Sequence, residues 1–500
     1  GVLVAGGVGG AAYIRSRFTP DTTPGPGEDG EIVTVAEGQL QGTINDGIYR
    51  YLGVPYAEAA ERFVIAGPVT PWEGVLKADS YGPMSPQGSM LGFGAGNQDG
   101  TDNNCQNLNI WTPGLNDGGL RPVLVWLHGG GFSTGTANDS SYDGEALAKN
   151  GDVVVVSVNH RLNVFGYLDL SAYDEKYKDS ANVGMWDIIA ALEWIQQNIE
   201  VFGGDPDNVT VFGQSGGGAK VLGLMSTPYA VGLFHKGIVE SGVTETVGVN
   251  FTSQEASTRL AENLLAELNI APENIEQLQI VAVDKLQSAA TKALDATAQE
   301  FQIPAPLTDG YQMEWEPVVD GDFLPTSPVT ETNFADAGQD IPLLIGSNLN
   351  EWTGFYRTST DGVDTDALSA ALKTAYPDKT DLTADHVDTL IRLPILKTMS
   401  HKADQNGAPV YAYLLTYGSS NHGAEIPYIF RHSDVSAMND LFSSIWVNFA
   451  RSGVPSADSL PTWEPYTREG GATMLLDTTS QLVYHHDAAL LKLLAPDYEY

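Results

Sequence analysis

Short apolar runs recur along the chain: PVLVWLHGG (122–130), DVVVVSVNH (152–160), NVTVFGQS (208–215), GIVESG (237–242), IPLLIGSN (341–348) and VYAYLLTY (410–417). Their valine and leucine content is continuous rather than alternating, so both faces of each strand must be covered. Segments of helical spacing lie between them, which predicts an α/β fold with a central, mostly parallel sheet and helices on both faces. In NVGMWDIIAALEWIQQNI (182–199), Met185, Ile188, Ile189, Leu192 and Ile195 share one stripe, so this helix is expected to pack on the sheet. Helical spacing over 254–298 and 365–397 predicts further helices that cover a site. No internal repeat is visible.

Five hundred residues with 42% hydrophobic side chains, 54 Gly and 27 Pro suffice for one large catalytic domain with many turns. The formal charge of -38 would repel a phosphate backbone or an anionic bilayer, so nucleic acid is not an expected partner. Cys105 is the only cysteine, which excludes an internal disulfide and any C-x-x-C pair. Residues 1–18 open with an apolar run followed by Arg15 and Arg17, and read as a clipped membrane anchor or the remnant of an export signal. The chain is therefore expected to be exported or membrane-anchored. Residues 19–30, rich in Pro, Gly and acids, read as a flexible linker, and the folded domain is expected to occupy 31–500.

The run VTVFGQSGGGAK (209–220) places Ser215 between glycines just after a strand. A turn through Gly213, Ser215 and Gly217 with a helix behind it would lift the hydroxyl above the sheet edge, where small neighbours are needed to avoid the adjacent strand and helix. A serine hydroxyl is a weak nucleophile until a base takes its proton and donors stabilise the oxyanion. LHGGGF (127–132), at the end of an earlier strand, offers glycine N–H groups for such donors.

These motifs, together with GVPYAEAAERF (53–63), LNIWTP (108–113), NHRLNVFGYL (159–168), FGGDPDNVTVFGQSGGGAKV (202–221), EPVVDGDFLP (316–325), NHGAEIPYIF (421–430) and WVNFARSGVP (446–455), resemble the type B carboxylesterases. That family has the α/β-hydrolase fold and also contains the cholinesterases. The resemblance runs from about Gly38 to Asp477 and implies a serine hydrolase that cleaves carboxylic esters. It implies Ser215 as nucleophile, Glu351 as acid and His422 as base, in the chain order of this fold. It also implies Gly130, Gly131 and Gly216 as oxyanion donors, with Gln214, Phe132 and Ser241 beside the site. Asn350 carries no charge to steady an imidazolium, and Asp320 and Asp322 sit in what reads as a structural turn. His485 and His486 are adjacent, so on a strand they would face opposite ways and hold no metal. No cofactor is implied, and a small-molecule ester is the expected partner.

Departures from the family pattern carry expectations too. Gln214 stands where many members have Glu, which removes a negative charge beside the base. Ser85 replaces one cysteine of the family's usual bridge, and the loop 86–104 holds Phe93 but no tryptophan, so a cholinesterase-type seat for a quaternary ammonium is not expected. The short interval from Glu351 to His422 predicts an open mouth that tolerates bulky esters. The same machinery would serve an amidase, a carbamate hydrolase or a lactonase, and relatives without the nucleophile act as scaffolds.

Overall fold

The computed structural model describes residues 23–25, 27–88, 100–245 and 251–500. Residues 1–18 and Phe93 lie outside these.

The sheet has thirteen strands: β1 (Glu28–Val35), β2 (Gly38–Asn45), β3 (Ile48–Pro55), β4 (Val75–Lys77), β5 (Asn107–Thr112), β6 (Arg121–Leu127), β7 (Val154–Val158), β8 (Gly204–Gln214), β9 (Lys236–Glu240), β10 (Leu343–Asn348), β11 (Val410–Leu415), β12 (Ala472–Leu476) and β13 (Gln481–Tyr484). They follow the order β1-β2-β3-β5-β7-β6-β8-β9-β10-β11-β12-β13, with β4 beside β2. From β7 to β12 every pairing is parallel, whereas β1-β2-β3-β5-β7 and β12-β13 are antiparallel. Each apolar run of the sequence falls in this parallel centre.

Successive residues of a strand point to opposite faces, and β6 divides its side chains accordingly. Val123, Val125 and Leu127 join one core, while Leu124 and Trp126 join the other. The first core is covered by α1 (Val183–Asn198), α2 (Gly216–Leu224), α3 (Gln254–Leu268), α4 (Val283–Phe301), α5 (Thr365–Ala375) and α6 (Arg392–Asp404). The second is covered by α7 (Ser436–Ser452), through Ile445, Trp446 and Phe449. The stripe expected on α1 is buried in the first core, each such side chain contributing about 2 kcal/mol of transfer free energy. No helix among the described residues is long and apolar enough to cross a membrane.

Two boundaries differ from expectation. β1 starts at Glu28, inside the stretch read as linker, because this edge strand pairs with β2 from Glu28↔Ile44 onward and the ladder accepts polar residues there. The helical interval 254–298 is broken at Asn269, which takes a left-handed conformation, and Pro272 then starts a new turn.

Candidate active site

β8 ends at Gln214 and α2 begins at Gly216, so Ser215 alone makes the turn, with φ 58° and ψ -125°. A non-glycine residue held there costs on the order of 1–3 kcal/mol, so its surroundings must enforce it. They do so with glycines. A Cβ on Gly217 would lie 1.9 Å from the Leu127 carbonyl oxygen, and one on Gly213 would meet Gly217 at 2.5 Å. The Ser215 N–H donates to the Glu240 carbonyl at 2.8 Å, and the Glu240 carboxylate is fixed by the Trp446 indole N–H at 2.7 Å.

The loop after β6 rests on this turn. A Cβ on Gly216 would stand 2.3 Å from the Gly131 carbonyl oxygen and one on Gly129 would stand 2.9 Å from the Gln214 carbonyl oxygen, so glycines permit the approach. Gly130 and Gly131 take φ of 91° and 59°, and their N–H groups donate to no acceptor among the described residues. Phe132 is fully buried, its ring edge-to-face with Tyr167 and Phe251.

Glu351 follows β10, and His422 follows β11 on the neighbouring strand. The two segments pair at Glu351 and Asn421, and the His422 N–H donates to the Glu351 carbonyl at 3.0 Å. This pairing sets the side chains together: His422 Nδ1 lies 2.6 Å from Glu351 Oε2. The other carboxylate oxygen accepts the Ser241 hydroxyl at 2.5 Å and the Asn348 N–H at 2.7 Å. Ser241 thus reaches the site through Glu351. Trp352 stacks on the His422 ring at 4.5 Å and fixes its plane. Gln214 Nε2 lies 3.2 Å from His422 Nε2, so the residue that departs from the family pattern touches the ring directly.

Two further buried carboxyls that the sequence reading did not single out stand near this pair. Asp388 accepts the N–H groups of Ile391 and Arg392, and Glu425 accepts the Asn348 amide at 2.6 Å. Burial, followed by the nearby Glu351 charge, pushes both up to about 7. A third missed residue is Lys220, a charged side chain in the apolar start of α2 and buried there. Its presence in GGGAKVLGL was the available signal.

His128, His160, His235 and Asp320 make their contacts with groups other than the Glu351–His422 pair. His128 and His160 stack on each other at 4.9 Å, and burial pushes the first down to about 3 and the second well below its ordinary value. His235 accepts the Val209 N–H, and Asp320 closes a turn by accepting the N–H groups of Asp322 and Leu324. Cys105 is a buried free thiol, and the Ser85 hydroxyl accepts the Leu162 N–H at 3.0 Å. Among the described residues no group of three or more His, Cys, Asp and Glu is placed to hold a metal ion.

The carboxylesterase family model matches residues 29–384 and 367–490. The chain is 33% identical to para-nitrobenzyl esterase of Bacillus subtilis (strain 168), over 90% of this chain and 95% of that protein. It is 30% identical to liver carboxylesterase of Sus scrofa, over 92% and 91%. Among solved structures, an esterase from Clostridium hathewayi that can hydrolyse aliphatic aromatic polyesters superposes with a TM-score of 0.82 at 33% identity, covering 96% of this chain and 99% of that one.

Proposed function

Because the chain belongs to the carboxylesterase family, and so is a carboxylic-ester hydrolase of the α/β-hydrolase fold acting on small-molecule esters, we propose that it works through an acyl-enzyme on Ser215, with His422 as base and Glu351 as acid. The contact that supports this most is the 2.6 Å approach of His422 Nδ1 to the buried Glu351 carboxylate. It leaves Nε2 as the ring nitrogen for proton transfer.

In this reading Gln214 yields the Nε2 position to Ser215 as substrate enters. His422 takes the Oγ proton while Oγ attacks the ester carbonyl, and the N–H groups of Gly130, Gly131 and Gly216 hold the resulting oxyanion. The imidazolium is compensated by Glu351, which does not itself take the proton. His422 then protonates the departing alcohol. Water attacks the acyl-enzyme by the same route and releases the acid.

The oxyanion assignment rests on the close packing of Gly216 against Gly131 and on the unused N–H groups of Gly130 and Gly131. We further read residues 1–18 as a membrane tether or export remnant ahead of a catalytic domain. The site's mouth is taken to admit bulky acyl groups.

The test is hydrolysis of p-nitrophenyl esters by the wild type and by Ser215→Ala, His422→Ala and Glu351→Gln. Each variant should lose about 10⁴-fold or more in kcat. Retention of more than a tenth of the activity in Ser215→Ala would remove the acyl-enzyme from the account.

A further inference from the structure

The mechanism leaves unused one charged group that sits against the site's own loop. Lys220 lies on α2, in the turn that follows the nucleophile, and has no solvent exposure. Its Nζ donates to the His128 carbonyl at 2.9 Å and to the Gly131 carbonyl at 2.9 Å, and stands 5.1 Å from the centre of the Phe132 ring. Two carbonyl acceptors and the ring face surround the ammonium, so it is buried with partners on each side.

Those carbonyls bracket Gly129, Gly130 and Gly131. With φ of 91° and 59°, Gly130 and Gly131 sit in a region where glycine turns easily; the loop's own contacts reach the Gly129 carbonyl, beside His128 Nδ1, and the Gly130 carbonyl, which accepts the Ser133 and Thr134 N–H groups, and leave the outer His128 and Gly131 carbonyls to be held from α2. Drawing the carbonyls on either side toward α2 restricts that freedom. It also places a positive charge behind the loop, in surroundings of low dielectric where a fixed charge acts strongly on a developing anion. His128 and His160 nearby are both held neutral, with burial as the main cause and the Lys220 charge next. Burial pushes Lys220 itself down to about 7, so the ammonium is the dominant form on the acid side of that value, where the clamp is in force.

We propose that Lys220 is a positioning residue for ester hydrolysis, its ammonium clamping the 128–131 loop so that the Gly130 and Gly131 N–H groups are aimed at the oxyanion. The inference rests on the reading of those glycines as the oxyanion donors. A neutral ester gains little from such a clamp, whereas the anionic tetrahedral intermediate gains much. The effect therefore belongs in kcat rather than KM.

The experiment compares wild type, Lys220→Met and Ser215→Ala, using p-nitrophenyl ester kinetics and inhibition by an alkylboronic acid, which becomes anionic when a serine adds to it. Lys220→Met should lose about 10²-fold in kcat with KM within about threefold. Boronate affinity should fall by the same factor as kcat, while inhibition by the product alcohol stays unchanged. Thermal melting verifies that the variant is folded. If Lys220→Met does not fold, Lys220→Gln, which keeps N–H donors at similar length without the charge, is expected to show the same pattern with a smaller loss. A folded variant with wild-type kcat and boronate affinity overturns the inference, as does equal weakening of boronate and alcohol. A wild type whose boronate affinity is the same as that of Ser215→Ala would instead overturn the underlying site reading.

Discussion

Gln214 Nε2 lies 3.2 Å from His422 Nε2, the ring nitrogen that takes the Ser215 proton in the proposed mechanism. A neutral amide therefore stands where a carboxylate would pair with the imidazolium. Replacing it by Gln214→Glu adds that charge and favours the protonated ring. The acid limb of the pH–kcat/KM profile should then move to higher pH by about one unit, as pH-rate measurements would register. Because kcat/KM reports the free enzyme, an unmoved limb would contradict the contact between the 214 side chain and the ring before substrate enters.

The Ser241 hydroxyl donates to Glu351 Oε1 at 2.5 Å, so in the proposed mechanism it supports the acid of the triad. Ser241→Ala leaves the Asn348 N–H as the donor to that oxygen, and the buried carboxylate loses about 1–2 kcal/mol of support. The expected result is a fall of about tenfold in kcat with KM unchanged. Steady-state kinetics on a single p-nitrophenyl ester measure the split.

Asp388 and Glu425 give the fold a pH dependence of definite sign. Their ordinary values are 3.8 and 4.5, and both are pushed up to about 7, so between about 4 and 7 the folded chain holds protons that the unfolded chain has released. Stability contributed by these groups is whole at the acid end of that window and is lost as pH rises through 7. Glu425→Gln should flatten the slope of unfolding free energy by about 1 kcal/mol per pH unit between pH 5 and 7. Denaturant melts across that range test it, and an unchanged slope would contradict the raised carboxyl.

Two glycine substitutions should differ sharply. Gly217→Ala forces a methyl to 1.9 Å from the Leu127 carbonyl oxygen, so activity should vanish and the melting temperature should fall by several degrees. Gly354→Ala meets nothing within 4 Å and should leave both within error. Melting curves and esterase assays on the pair separate crowding at the turn from a general intolerance of alanine.

An acyl-length series addresses the mouth of the site. Hydrolysis should extend from acetate to longer and aromatic p-nitrophenyl esters with similar kcat/KM. Activity confined to acetates would contradict an open mouth.

How much of this was legible in the sequence depends on the kind of signal each residue carried. The valine-rich runs report their own double burial, and the parallel centre of the sheet follows from them. Ser215 was legible because its glycines are demanded by contacts with Leu127 and Gly131 that any side chain would violate. Glu351 and His422 carried no local pattern; they were found through the family resemblance, since strands β10 and β11 bring them together only in the folded sheet. Asp388 and Glu425 were missed because, among 63 acidic residues, a buried carboxyl looks like a surface one. The start of β1 fell inside the stretch read as linker because pairing with β2 overrode a turn-like composition.

The most direct measurement is mass spectrometry of the protein after reaction with a fluorophosphonate ester. The account predicts one adduct per chain, on the peptide containing Ser215, formed as p-nitrophenyl ester hydrolysis disappears, and no adduct in Ser215→Ala. Full loss of hydrolysis with the label on another residue, or hydrolysis that survives complete labelling of Ser215, would contradict it.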